Sequence, residues 1–378
     1  MPGFHDLFDS LNMYHLGLIE FTKRLFNSGG ISFRGMFLIP VYYFQLLLAI
    51  PFGLLQHLIF GRRIGKTSIS RDPVFILGHY RSGTTYLHKL MAANSGFGHL
   101  TNYDSLLVNS NLLFGKKIQK MLQHFIHFFR IKNPFFNSDS VDLDDPAEED
   151  DFLMNRASAY AAYWGFVFPR KWSDWLNGNN NFSNPGYREG WKKEYLHTLK
   201  YATFKNKGRQ LILKNPPSTE RISILLELFP DAKFIYIYRN PYLIYYSTRN
   251  MWKKAILPYF SLQQISDPEL DDIIFNHYKY LAGQYELQKA MIPAGNLIEV
   301  SYEELKSDPC GVIQRVYNQL KLEGFDAALS DLKIKVEREK HYQNFEYSYN
   351  RDTFNAIEEY WGRFIHQWGY HVPEVSNR

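Results

Sequence analysis

The sequence predicts an α/β fold: a parallel sheet flanked by helices, with a helical extension at the N-terminus. Three observations carry this. The apolar run Pro73-Val74-Phe75-Ile76-Leu77 leads through a glycine-rich loop into a helix-period pattern with Leu87, Leu90 and Met91 on one face. Two further apolar runs, 209–214 and 233–238, flank a helical stretch of about 218–229 closed by Pro230-Asp231. Strand, helix and strand joined this tightly form a βαβ unit, whose crossover makes the strands parallel. The chain has 378 residues, 45% hydrophobic and 21% charged, enough to bury a sizeable core.

In chain order, residues 1–66 make an apolar helical extension, 67–320 the ligand-binding core, and 321–378 a lid-like tail packed on that core. From Gly35 to Gly61 no residue is charged, while Arg34 precedes and Arg62, Arg63 and Lys66 follow. That length is enough to cross a bilayer. Pro40, Pro51, Gln45, Gln56 and His57 argue against a simple spanning helix. A helical hairpin packed on the core is the first of three arrangements, ahead of a segment in the membrane interface and a true span. Residues 104–135 are helical in pattern. In the acidic segment 142–151, Asp145 suits an N-cap, Pro146 the first helical position and Glu148 the third, a variant of the capping box. Residues 177–190 are rich in Asn, Gly and Ser and read as a loop. A last strand, 297–300, precedes a helix at about 309–320, and the polar, aromatic tail has helical ends.

Net charge is +5 and the pI is near 8.9, which suits an anionic ligand or an anionic membrane surface. The charge is too weak and dispersed for nucleic acid. Cys310 is the single cysteine, so no disulfide forms within the chain. The segment Met1-Pro2-Gly3-Phe4-His5-Asp6 lacks a basic stretch leading into an apolar core, so a cytoplasmic location is expected, with membrane association through residues 35–61 left open. Aromatics reach 17%, with 27 Tyr and 30 Phe, which points to aromatic-lined pockets or an apolar acceptor site.

The loop has phosphate-binding spacing: Gly78, four residues, Gly83, then Thr84 where a lysine is usual, then Thr85. Backbone N–H groups and the helix dipole converge there on an anion. The missing lysine is the one that reaches the β- and γ-phosphates of a nucleoside triphosphate, so a different ligand is indicated; the cation has moved into the loop, to Arg81. Ligands of parallel sheets bind at strand carboxyl ends. The second strand ends in Lys214-Asn215-Pro216 and the third in Arg239-Asn240-Pro241, with Ser247 eight residues after Arg239. Arg239 and Ser247 can then clamp one phosphate together.

Gly-x-x-Arg-Ser-Gly-Thr-Thr with a distal Arg-(seven residues)-Ser resembles the sulfotransferases that use 3′-phosphoadenosine 5′-phosphosulfate (PAPS), and Asp-Asp-Pro-Ala-Glu-Glu-Asp-Asp-Phe resembles an acidic motif of their broad bacterial branch. The resemblance covers residues 73 to about 305 and implies a P-loop-like sulfotransferase fold. It implies that Arg81, Ser82, Gly83, Thr84 and Thr85 hold the 5′-phosphosulfate, that Tyr86 lies on or near the adenine, and that Arg239 and Ser247 hold the 3′-phosphate. Lys214 would stabilise charge as the sulfuryl group leaves; no metal is required.

A base must take the acceptor proton. The cytosolic branch has a His two residues after its strand-end Lys; here that position is Pro216. Tyrosylprotein sulfotransferases, similar in the loop, use a downstream Glu. Asp104 and Glu149 are the carboxylate candidates, with His79 a third; Glu149 is preferred because Glu148 is already accounted for as a capping residue. The apolar extension and the aromatic excess point to a lipophilic alcohol, such as a sterol or lipid, as acceptor. The rival readings are a P-loop kinase or NTPase, opposed by Thr84, and a membrane-associated scaffold without catalysis.

Overall fold

The computed structural model describes residues 17–131, 141–339 and 349–373. Five parallel strands form one sheet in the order β2-β3-β1-β4-β5. They are β1 (Val74–Leu77), β2 (Phe97–Gly98), β3 (Gln210–Lys214), β4 (Lys233–Tyr238) and β5 (Leu297–Ser301). Strand β1 lies at the centre, with Val74 opposite Ile212 on one side and Lys233 on the other. Its runs are apolar throughout because both faces are covered. Phe75, Leu77, Leu213 and Phe234 pack on Trp191, Tyr195 and Leu199 of the helix Pro185–Lys205. The alternate residues Val74, Ile76, Ile212 and Ile235 pack on Leu87, Leu90 and Met91 and on Val316 and Leu320 of the helix Pro309–Leu320. The loop after β1 therefore emerges between the ends of β3 and β4, bringing residues 78–85, Lys214 and Arg239 to one edge of the sheet.

A third cluster joins the helices Pro241–Met251, Asp267–Gln288 and Arg351–Gln367. In the last of these Phe354, Ile357, Trp361, Phe364 and Ile365 are buried, a core-facing stripe at helical spacing. Trp361 is fully buried and its Nε1 donates to the Phe275 carbonyl at 2.9 Å. This part of the 321–378 tail is thus core rather than lid.

Several local expectations are corrected. Residues 35–61 form no hairpin: Phe33–Gly65 is one 33-residue helix capped by Ser32, with Pro40 and Pro51 inside it, and a helix over 17–27 packs on it through Phe21 against Tyr42 and Tyr43. Residues 177–190 are not a continuous loop, because Asn184 accepts from Gly186 N and Tyr187 N as an N-cap and Pro185 opens the long helix. The 104–135 pattern resolves into Asn102–Leu106 and Asn111–Phe128, the latter kinked at Gly115 (φ 58°), with 132–140 outside the described residues. Asp145 is not an N-cap. Pro146 bridges Thr101 and Ala147 N donates to Leu100 O, which keeps this stretch extended, so the acidic helix starts only at Glu149 with Glu148 as its N-cap.

Truncating Trp361 to Ala should cost about 3–5 kcal/mol in denaturant unfolding. A loss under ~1 kcal/mol would mean that the last helix is a dispensable lid.

Candidate active site

The loop is built by backbone geometry. Arg81 adopts a left-handed φ of 68° and Gly83 of 102°. A Cβ on Gly83 would stand 2.4 Å from the Tyr302 ring, so this position needs glycine on two counts. Ser82 is buried and its hydroxyl donates to the His79 carbonyl at 2.7 Å; it braces the loop and is not on the cavity wall. Thr84 opens the helix Thr84–Met91, and Thr84 and Thr85 of its first turn, where N–H groups lack partners within the helix, line the cavity.

Arg81, Arg239 and Ser247 come together. Arg81 Nε donates to Ser247 Oγ at 2.9 Å, and Arg239 Nη1 donates to the Arg81 carbonyl at 3.0 Å. Arg239 also lies over the Tyr302 ring at 4.4 Å. Arg81 thus links the loop to the position expected for a second phosphate.

Lys214, at the end of β3, is buried. Its Nζ donates to Thr85 Oγ1 at 3.2 Å and pairs with the Glu148 carboxylate. The same carboxylate accepts from the Tyr163 hydroxyl. The acidic helix Glu149–Asn155 turns four consecutive carboxylates to four tasks. Glu148 faces the cavity, and burial raises its pKa despite Lys214. Glu149 faces the core: it accepts from the Lys214 backbone N–H at 3.1 Å and from Tyr195 at 3.5 Å, and burial with neighbouring Asp150 and Glu148 pushes its pKa up to about 8. Asp150 accepts from Arg221 Nη1 at 2.9 Å, from Ala162 N at 2.7 Å and from Asn215. Asp151 accepts from Glu148 N, and burial beside Glu148 pushes its pKa up to about 7.

The other base candidates lie away from the cavity. Asp104 is fully buried in a capping box with Thr101 and binds Asn111 and Lys205. His79 is buried against His277 and Tyr278, its Nδ1–H spent on the Tyr80 carbonyl at 2.7 Å, with burial lowering its pKa to about 4. Glu149 does not reach the wall either. Spacing could not separate Glu148 from Glu149, because the choice depends on where the extended chain becomes helix. Sequence reasoning also missed Tyr163 and Tyr80; the Tyr80 hydroxyl is buried on the cavity wall without a hydrogen-bond partner.

These groups line a cavity of about 1340 Å³. Its polar wall holds Arg81, Thr84, Thr85, Tyr86, Lys214, Arg239 and Ser247 with Glu148. Its apolar wall comes from the Phe33–Gly65 helix (Val41, Leu46, Phe52) and from Phe114, Ile126 and Val141. The volume exceeds the ~300–1,000 Å³ usual for one small ligand. From the tail, Arg338 and Glu339 also line it, Glu339 pairing with Lys89 at 3.0 Å; Lys340, His341 and Tyr342 lie outside the described residues.

This arrangement, a lysine-free phosphate loop at the centre of a parallel sheet, matches a known class. The chain belongs to the sulfotransferase family, whose family model matches residues 73–327. It is 30% identical over 341 residues, 89% of its own length and 85% of the relative's, to the omega-hydroxy-beta-dihydromenaquinone-9 sulfotransferase Stf3 of Mycobacterium bovis. The identity to the protein of that name from Mycobacterium tuberculosis is the same, 30%. Two solved structures share the fold. Sulfotransferase STF1 from Mycobacterium tuberculosis H37Rv has a TM-score of 0.70 at 15% identity, over 95% of this chain and 93% of that one. Sulfotransferase STF9 from Mycobacterium avium has a TM-score of 0.70 at 18% identity, over 96% and 93%.

The raised pKa of Glu149 has a stability consequence. Its folded value, about 8, lies above the usual 4.5, so the folded state holds a proton that the unfolded state releases. The contribution is fully present below the unfolded value and is lost as pH rises through the folded one. Between pH 5 and 8 the parent's melting temperature should fall by several degrees relative to Glu149→Gln (the window is set by these two values). Parallel melting curves for the two proteins would show that Glu149 titrates normally.

Proposed function

We propose that the protein transfers the sulfuryl group of PAPS to the hydroxyl of a lipophilic alcohol, leaving adenosine 3′,5′-bisphosphate and a sulfate ester. One observation carries this reading: two adjoining cationic positions share a single cavity with an apolar wall. The Thr84–Thr85 helix terminus with Lys214 suits a 5′-phosphosulfate. Arg239 and Ser247 suit a 3′-phosphate, and Arg81 lies between the two. Tyr86 is half-buried on the same wall and is assigned to the adenine in this reading. The chemistry draws on no metal. The relative's name gives an omega-hydroxy-dihydromenaquinone, which supports a hydroxyl on a long apolar acceptor.

Glu148 is the base in this reading. It lies on the wall paired with Lys214, where Asp151 also lines the cavity but accepts from the Glu148 N–H, and burial raises the proton affinity of Glu148 toward that of a working base. The acceptor oxygen forms the new S–O bond, its proton goes to Glu148, and the electron pair of the broken bridging bond stays on the departing phosphate. Lys214 and Arg81 offset the charge that develops there, which is electrostatic stabilisation by groups already in place. Tyr163 orients Glu148.

Glu148→Gln should lower kcat/KM about 10²- to 10⁴-fold, with bisphosphate binding and melting temperature retained, while Glu149→Gln stays within about tenfold. The parent rate should fall as pH drops through a value above the ordinary carboxylate range, because the base must be unprotonated and burial raises its pKa. An active Glu148→Gln beside an inactive Glu149→Gln would return the role to Glu149. Failure to sulfate any long-chain alcohol or sterol while sulfating sugars or peptides would sink the acceptor class.

A further inference from the structure

The Phe33–Gly65 helix has two faces. One lines the cavity and packs on the core. The other is an exposed stripe of large apolar side chains, Phe33, Phe37, Phe44, Leu47 and Leu55, with Val41 and Leu48 exposed where the two faces meet. Only 6% of its most apolar window is buried, at a mean hydropathy of 1.9. At 1.5 Å per residue it is about 50 Å long.

This helix cannot stand upright in a bilayer, because the core holds both of its ends. At the start, Ser32 N donates to the Leu262 carbonyl at 2.9 Å, Arg34 to Leu257 O at 3.1 Å and Tyr42 to Phe260 O at 3.0 Å. Towards the far end, Gln56 bonds Val108 O and Leu112 N, Phe60 meets Phe204, and Lys200 Nζ donates to Gly65 O at 3.2 Å. A segment fixed at both ends lies along the surface.

A second helix extends the patch. Asn111–Phe128 is joined to the first through Phe52–Phe114 (5.4 Å) and Gln56. It exposes Met121 (59%), Phe125 (52%) and Phe128 (82%), and Phe129 (58%) follows it. Charges on the two helices have one sign, while Asp142 and Asp144 are exposed acidic residues at the edge of the second helix, where Gln119 donates to Asp144 Oδ1. From Phe21 to Arg71 and from Ser105 to Ile131 there is no Asp or Glu, whereas Arg34, Arg62, Arg63, Lys116, Lys117, Lys120 and Arg130 are present and exposed. Two copies placed face to face would bring like charges together, whereas an anionic lipid surface complements them. The cavity opens within this patch: Val41, Leu48, Leu106, Ile131 and Tyr259 are both exposed and part of its wall.

From this we infer that the two helices lie flat on an anionic bilayer, apolar stripes in the acyl boundary and basic residues at the headgroups, with the cavity mouth facing the lipid. Docking stands independently of the sulfuryl-transfer reading. Lateral entry of a lipid alcohol from the bilayer into the cavity rests on it.

Sedimentation with phosphatidylcholine vesicles, with and without phosphatidylglycerol, tests the docking. The parent should pellet with the phosphatidylglycerol vesicles, less so at high salt. Phe44→Asp/Leu47→Asp and, separately, Lys116→Glu/Lys117→Glu should each lower binding about tenfold or more. None of these four residues lines the cavity, so the affinity for adenosine 3′,5′-bisphosphate and the melting temperature should not change. Parent protein that stays in the supernatant, or that forms a dimer dissociated by Phe44→Asp/Leu47→Asp, would overturn the inference. Vesicle binding without bisphosphate binding would instead count against the functional reading and leave docking intact.

Discussion

The site depends on a buried lysine. The Lys214 ammonium stands at the end of a strand that is closed to water, and an isolated charge there would cost several kcal/mol. The fold meets that cost with two partners on the ammonium and holds the strand end with a third group. Thr85 of the loop helix and Glu148 of the acidic helix take the ammonium, and Glu149 takes the backbone N–H of the same residue. Loop, central strand pair and acidic helix are thereby tied at one point. An anion arriving at the loop finds a cation whose partner, Glu148, can in turn serve the acceptor.

The acidic helix is built around that point. Its four carboxylates differ by one residue each, yet each has a separate surrounding. Asp150 anchors the segment to Arg221, itself fully buried between Phe182 and Trp191. With Asp150 fixed, Glu149 must turn inward and Glu148 outward. Burial raises the pKa of both, but Glu148 alone of the two meets the cavity. This separation of an inner structural carboxylate from an outer one next to a lysine follows from the helix start, which Pro146 and the Thr101 bridge delay.

Much of the fold was legible because the central strands are apolar on both sides. Runs such as Val74–Leu77 and Lys233–Tyr238 have few other uses, and the glycine spacing of 78–83 names the turn between strand and helix. Strand β2, two residues long, leaves no periodic trace. The Asn/Gly/Ser-rich stretch before Pro185 reads as loop because residues that favour turns also favour helix caps. Residues 35–61 are ambiguous in sequence: Pro40 and Pro51 argue against a simple spanning helix, but tertiary anchoring at both ends holds one helix through them. The residues proposed to bind anions were legible as types at strand ends. The proposed base was not, because adjacent residues at a helix start point in different directions and only the cap geometry decides which faces the cavity.

In the proposed function a lysine-free loop and the Arg239–Ser247 pair bind one nucleotide through two separate anions. Calorimetric titration of the parent and of Arg239→Ala/Ser247→Ala with adenosine 3′,5′-bisphosphate and with adenosine 5′-monophosphate tests this. The parent should prefer the bisphosphate by at least about a hundredfold, and the double variant should lose this preference while keeping its weak affinity for the monophosphate. Equal affinity of the parent for the two nucleotides, or tighter binding of ATP with magnesium, would contradict it.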